Sequence, residues 1–291
     1  MTRWLILAAL GALLLFVGGA WLNREALVLT YFGGRIDKRS LAEQQALIAP
    51  FIHVFAPDAG APPYPAVIQF HGCAGYRADF MEMWAQRAND AGFLVIAVDS
   101  NSPRGFDREA ALSSVCKGKA LLGQERAGDV VAALAVAAER EDVDPARIVL
   151  AGWSHGAWAV MDYLALTAAG RRPPSVRGAA PAVDPAAVVL FYPYCGEGTW
   201  SRIAPWAPGP GVLAFVAGKD TVVDGGACMA QFEKLRGDGI AVDLVHYENA
   251  DHVFDDQGLV GGPYEKFYSA PEAADAARRY RRFLTAISDH P

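Results

Sequence analysis

Residues 146–164, ARIVLAGWSHGAWAVMDYL, restrict the possible folds of this chain more than any other stretch. The apolar run Ile148 to Ala151 has the length of a buried strand, and Ala157 to Leu166 is rich in Ala, Leu and Met, as a helix would be. Between them stands Gly152-x-Ser154-x-Gly156. A backbone that passes from strand into helix at a serine must turn sharply, and glycines on both flanks remove the Cβ atoms that would block the turn. The turn lifts the Ser154 hydroxyl out of the sheet. It also aims the His155 backbone N–H, at a helix N-terminus, toward any anion forming beside the serine. The same five residues also suit a strand–turn–helix without chemistry, so the rest of the chain must decide.

The rest of the chain has the pattern of an α/β fold. Strand-like runs at 51–55, 66–70, 93–98, 187–192, 212–217 and 242–247 join the one at 148–151. From residue 66 onward they alternate with helical stretches at 80–91, 121–141, 157–166, 229–235 and 273–287, which predicts a mostly parallel sheet with helices on both faces. Ligands bind such sheets outside the carboxyl ends of the strands. Ser154, Asp220 and His252 each follow the end of a predicted strand, so three strands converge on one site.

Those three residue types have complementary chemistry. A serine hydroxyl needs a base to accept its proton; His252 has an imidazole of suitable pKa; a carboxylate, Asp220, would hold the ring in one tautomer. Asp224 is an alternative acid, while Asp251 precedes the base and would point away from it. His155 is fixed inside the turn, His71 opens the loop after the 66–70 strand, and His53 and His246 lie within strands. That loop, His71-Gly-Cys73-Ala-Gly75, is the expected source of a second oxyanion donor, the backbone N–H of Cys73, beside that of His155.

Residues 1–22 stand apart. Arg3 is followed by an uncharged apolar run from Trp4 to Leu22, which reads as a secretory signal with a small-residue cleavage site around Gly18-x-Ala20 or as a membrane anchor, since about 20 such residues span a bilayer. Either reading exports the domain to the periplasm or the extracellular space. Residues 23–49 form a lead-in and 50–291 the main domain. In an oxidising compartment the four cysteines favour disulfides over buried thiols. Of three possible pairings, Cys73 with Cys116 and Cys195 with Cys228 would each tie together loops at the carboxyl ends of neighbouring strands. No CxxC suggests zinc, and no metal or organic cofactor is implied. The net charge of −6 without a basic run argues against nucleic acid as a partner; the oligomeric state has no signature.

HGCAG at 71–75, VDSNSPRG at 98–105, DPARIVLAGWSHGAW at 144–158, GKDTVVD at 218–224 and YENADHVFD at 247–255 resemble the dienelactone hydrolase family of the α/β-hydrolase superfamily, over roughly residues 50–287. The resemblance implies the α/β-hydrolase fold and the triad Ser154, Asp220 and His252. It also places Arg104 where the family can hold a carboxylate-binding arginine, with a solvated loop residue or a brace for Asp99 as equal alternatives, and in the members most similar to this chain Cys116 and Cys228 stand in matching surroundings. The namesake enzymes carry a cysteine in the elbow and a glutamate in the first oxyanion loop. Here the elbow holds Ser154 and the loop stretch reads Gln69-Phe-His-Gly, which suits an ordinary serine esterase mechanism. Trp153 and His71 are further candidates for substrate contact, and Tyr194, Trp200 and Trp206 for an apolar acyl pocket.

The expectation is therefore an exported serine hydrolase that cleaves a small ester or lactone through an acyl-enzyme. Its rivals are a peptidase or amidase of the same fold and a non-catalytic, membrane-tethered binding protein.

Overall fold

The structure, a computed structural model, describes residues 11, 18–19, 23–178, 183–206 and 209–288. Apart from Gly11, Gly18 and Gly19, the apolar N-terminal segment lies outside the described residues. Among the described residues no helix is long and apolar enough to cross a membrane.

Seven strands form the main sheet: β1 (Ile52–Phe55), β2 (Tyr64–Phe70), β3 (Leu94–Val98), β4 (Val143–Trp153), β5 (Ala187–Phe191), β6 (Gly211–Ala217) and β7 (Val242–Tyr247). Their spatial order is β1-β3-β2-β4-β5-β6-β7. Only β1 runs antiparallel, pairing Ile52 with Val98. The central strands are continuous Val, Ile, Leu and Ala runs because both faces of a parallel sheet are covered; β3 and β5 are buried at every residue. The chain steps outward from β2 to β3 and then returns across β2 to β4. That reversal opens a crevice at the carboxyl ends of β2 and β4.

Two apolar layers flank the sheet. On one face lie α1 (Arg24–Gly33), α2 (Leu41–Ile48), α5 (Gly123–Ala138), α6 (His155–Ala168) and α7 (Gly225–Gly237); on the other lie α3 (Ala78–Asn89) and α8 (Ala270–Ser288). The lead-in is thus two helices, and Ser40 and Glu43 form a reciprocal capping box at the start of α2. Leu29 and Ile48 are buried in the same layer as α5 and α6. Arg39–Ser40 also pairs in parallel with Val176–Arg177. A short helix not expected from the sequence, α4 (Arg108–Ser113), follows β3, capped by Asp107. Six residues carry too little periodicity to announce it.

Both preferred disulfides form, Cys73–Cys116 and Cys195–Cys228, and no cysteine is free. Each fastens a segment past a strand end to a distant one, as an oxidising compartment permits.

Candidate active site

The turn between β4 and α6 is strained, and its neighbours hold it so. Ser154 has φ 53° and ψ −112°, a left-handed backbone that costs a non-glycine residue on the order of 1–3 kcal/mol. Its N–H donates to the Phe191 carbonyl at 2.9 Å, and its carbonyl accepts from the Trp158 N–H at 3.0 Å. A Cβ on Gly152 would lie 2.5 Å from the Ala157 nitrogen, and one on Gly156 only 2.1 Å from the Phe70 carbonyl oxygen. Both positions therefore require glycine for close approach.

Three strand ends meet at the serine. His252 Nε2 lies 3.0 Å from Ser154 Oγ, and Nδ1 lies 2.8 Å from Asp220 Oδ2. Asp220 Oδ1 meanwhile accepts the Val222 and Val223 N–H groups at 2.9 and 2.8 Å. A carboxylate only accepts, so Nδ1 carries the ring proton and Nε2 is left to accept the serine hydroxyl. The alternative acid, Asp224, instead caps α7 through the Gly226 and Ala227 N–H groups. Asp251 binds Thr221 and accepts the His252 N–H at 2.7 Å.

The 71–75 loop packs against the elbow: a Cβ on Gly72 would sit 3.7 Å from Ser154 Cβ. The N–H groups of Cys73 and His155 donate to no backbone acceptor among the described residues. Asn101 Nδ2 donates to the Cys73 carbonyl at 3.0 Å. His71 donates from Nδ1 to the Gly72 carbonyl at 2.6 Å and accepts the Ser100 N–H on Nε2 at 3.1 Å. Burial and then the Arg126 charge lower its pKa, so it orders this loop as a neutral ring.

Beneath the loop, Arg126 is fully buried and donates from one nitrogen to the His71 carbonyl at 2.8 Å and His155 Nδ1 at 3.0 Å. Burial pushes its pKa down to about 10, which leaves it charged at neutral pH. Burial and that same charge hold His155 well below its ordinary value.

Two cavities meet at Ser154, of 460 and 430 Å³. The first is lined by Trp158, Tyr194 and Val115, and the second by His252, Phe80, Leu112 and Phe267. Each falls within the roughly 300–1,000 Å³ of small-ligand sites.

The implied role of Arg104 needs correction. It lines neither cavity, because a nearly buried guanidinium requires a counter-ion and finds it in Asp129, at 2.9 and 3.1 Å. Trp153 is 1% exposed and donates to buried Asp255 at 3.1 Å while stacking on Phe191. It backs the second cavity with an apolar edge. Of the three loop aromatics only Tyr194 lines either cavity at Ser154; Trp200 donates to Gln124 and Trp206 packs on Phe232.

The profile of the dienelactone hydrolase family matches residues 52–288. The chain belongs to the dienelactone hydrolase family. Membership makes it a carboxylic ester hydrolase. Its fold resembles that of a Klebsiella pneumoniae protein assigned to the dienelactone hydrolases, with 18% identity, 80% of this chain and 91% of that one covered, and TM-score 0.58. A Thermogutta terrifontis esterase solved with propionate shares 15% identity over 81% of this chain and 89% of its own, with TM-score 0.60. The Lactobacillus plantarum carboxylesterase Cest-2923 gives 15%, 80%, 92% and 0.56. Among curated proteins no sequence matches significantly.

In this dienelactone hydrolase family member some residues around the site carried no local signal. Tyr192 follows β5 with φ 35°, donates to Asp255 at 2.8 Å, and lays its ring 4.6 Å from that of His252. Arg126 and Asp129 read as the charged stripe of a helix, yet both are fully buried. Their isolation in an Ala- and Val-rich segment was the available clue.

A second buried acid gives a stability prediction. Burial pushes Asp162 up to about 7, although the Ser201 N–H and Trp158 Nε1 donate to it at 3.0 and 2.9 Å. From its ordinary value of 3.8 up to about 7 the unfolded chain has released this proton while the folded protein retains it, so stability falls as pH rises through that window. A rise of three units corresponds to about 4 kcal/mol. In Asp162→Asn the titration is gone. The variant's Tm minus that of the wild type is expected to be several degrees more positive at about pH 8 than at about pH 5. A difference that stays constant across calorimetric scans at the two pH values would show that Asp162 is not titrating there.

Proposed function

We propose that this chain is an exported serine hydrolase that cleaves small carboxylic esters or lactones through an acyl-enzyme. The observation that carries the reading is the hydrogen-bonded chain Ser154–His252–Asp220 at the meeting point of two cavities. One lobe suits the acyl part of an ester and the other its alcohol part.

Ser154 Oγ attacks the carbonyl carbon while His252 Nε2 takes its proton. The oxygen of the tetrahedral intermediate becomes an oxyanion between the Cys73 and His155 N–H groups; one such donor is worth about 3–4 kcal/mol of barrier. His252 then returns the proton to the leaving alcohol, the C–O bond breaks, and the acyl group remains on Ser154. Water, deprotonated by the same imidazole, releases the acid. Asp220 keeps Nδ1 protonated and stabilises the imidazolium throughout. The two disulfides and the apolar segment 4–22 support export.

The Thermogutta esterase was also captured phosphonylated by cyclosarin and phosphorylated by paraoxon. A fluorophosphonate is accordingly expected to add once to the wild-type protein, read by intact mass. Absence of an adduct on folded protein would overturn the reading. The two candidate acids separate in steady-state kinetics on a short-chain ester. Asp220→Asn is expected to lower kcat by about 10⁴, since the ring proton would move to the wrong nitrogen. Asp224→Asn is expected to leave kcat nearly unchanged and to cost no more than about a few tenths of a kcal/mol of stability, because an asparagine Oδ1 caps α7 about as well as a carboxylate. A larger loss of kcat in Asp224→Asn would reassign the acid.

A further inference from the structure

Helix α1 is apolar on opposite sides. Leu29 and Gly33 face the protein, and Gln124 Nε2 donates to the Leu29 carbonyl at 3.2 Å. On the other side Leu27, Val28, Tyr31 and Phe32 are 56%, 49%, 57% and 44% exposed. Their spacing stacks Leu27 over Tyr31 and Val28 over Phe32 along one face. Such a row of large apolar side chains on a surface helix marks an interaction surface. Val28 and Phe32 also line the 460 Å³ cavity that reaches Ser154.

We propose that this face of α1 lies on a lipid bilayer and that the first cavity receives the acyl chain of an ester drawn from it. The substrate class rests on the hydrolase reading above. Three observations choose a bilayer as the occupant. The uncharged run Trp4–Leu22 ends one residue before Asn23, which immediately precedes α1, so the exposed face continues an apolar segment long enough to enter lipid. Lys117 and Lys119 line the same cavity, are exposed, and form no ion pair among the described residues, while Arg35 sits over the Tyr31 ring at 4.2 Å. Among the described residues Glu197 is the one acid lining that cavity, so on a chain of net charge −6 this rim is locally net positive and complements lipid phosphates. Finally, the path from the face to the nucleophile is apolar, through Leu29, Val115, Leu122 and Trp158.

The test uses the full chain reconstituted with vesicles of phosphatidylcholine and phosphatidylglycerol. Because all four native cysteines are disulfide-bonded, Tyr31→Cys takes a polarity-sensitive fluorophore selectively. A matching label at Arg278→Cys, on α8 across the sheet, serves as reference. The label at position 31 is expected to shift to the blue on vesicles and the one at 278 to stay. Leu27 and Tyr31 do not line the cavity, so the double variant Leu27→Glu/Tyr31→Glu is expected to hydrolyse soluble methylumbelliferyl butyrate within about twofold of wild type. On vesicle-embedded methylumbelliferyl palmitate it should be at least about tenfold slower. No shift at position 31, or equal losses on the two esters, overturns the proposal. So does a shift that needs no vesicles and grows with protein concentration, which would mean that a second copy covers the face. A vesicle-dependent shift in a protein that takes no fluorophosphonate supports the docking face and overturns the hydrolase reading instead.

Discussion

Ser154→Ala is expected to abolish fluorophosphonate labelling and to lower kcat for any accepted ester by about 10⁴ to 10⁶, with the Tm within a few degrees of wild type. Every bond that sets the elbow is made by backbone: the Ser154 N–H to Phe191 and the Trp158 N–H to the Ser154 carbonyl. Alanine keeps those bonds and removes only Oγ. His252→Ala should match it in size, because an imidazole without a hydroxyl and a hydroxyl without a base are equally inert. The double variant should then be no worse than either single one, as groups acting as a unit are non-additive. The oxyanion donors and both cavities survive all three changes and sustain a residual rate above that in water. Steady-state kinetics on a short-chain ester, paired with intact mass, checks this. Full activity in Ser154→Ala would dismantle the acyl-enzyme mechanism, whereas losses that multiply in the double variant would mean that the two residues act in separate steps.

Gly156→Ala should be the most damaging single methyl in the protein. Its Cβ would stand 2.1 Å from the Phe70 carbonyl oxygen and 2.7 Å from that of His71, and neither backbone atom can rotate away. Either α6 withdraws from β2 or the start of the 71–75 loop is displaced. Overpacking of a tight core costs about 1–3 kcal/mol, occasionally more, and a clash with rigid backbone belongs at the upper end. A Tm drop on the order of 10 °C is expected, together with loss of activity in whatever fraction remains folded. Gly237→Ala is the control: it ends α7, and an added Cβ there meets nothing within 4 Å. It should be neutral or stabilising by up to about 1 kcal/mol. Thermal melts of both variants decide the matter, and equal Tm values for the two would refute the packing argument.

The sequence made the fold class legible because parallel strands buried on both faces must be uninterrupted apolar runs, and 66–70, 93–98, 187–192 and 212–217 are such runs. It pointed to the elbow for a related reason, since only glycine tolerates the contacts at positions 152 and 156. The short helix after β3 has no sequence signature because its supports are local capping by Asp107 and, three residues beyond its end, the disulfide of Cys116 to Cys73, neither of which has a period. The pairing of Arg104 is not legible in the sequence because its partner, Asp129, lies 25 residues away and in another element.

What the chain determines by itself is therefore the list of reactive groups and their order along parallel strands, which are consequences of local pattern and residue chemistry. The tertiary structure alone decided how those groups are used. It directed Asp220 rather than Asp224 to His252 Nδ1, buried Arg126 beneath the 71–75 loop, laid Tyr192 against the imidazole, and brought the apolar helix α1 to the cavity beside Ser154. Each of these is a contact between segments far apart in sequence. Such contacts depend on the crossing of the chain at the β2–β4 crevice, which brings elements distant in sequence within hydrogen-bonding reach of one another.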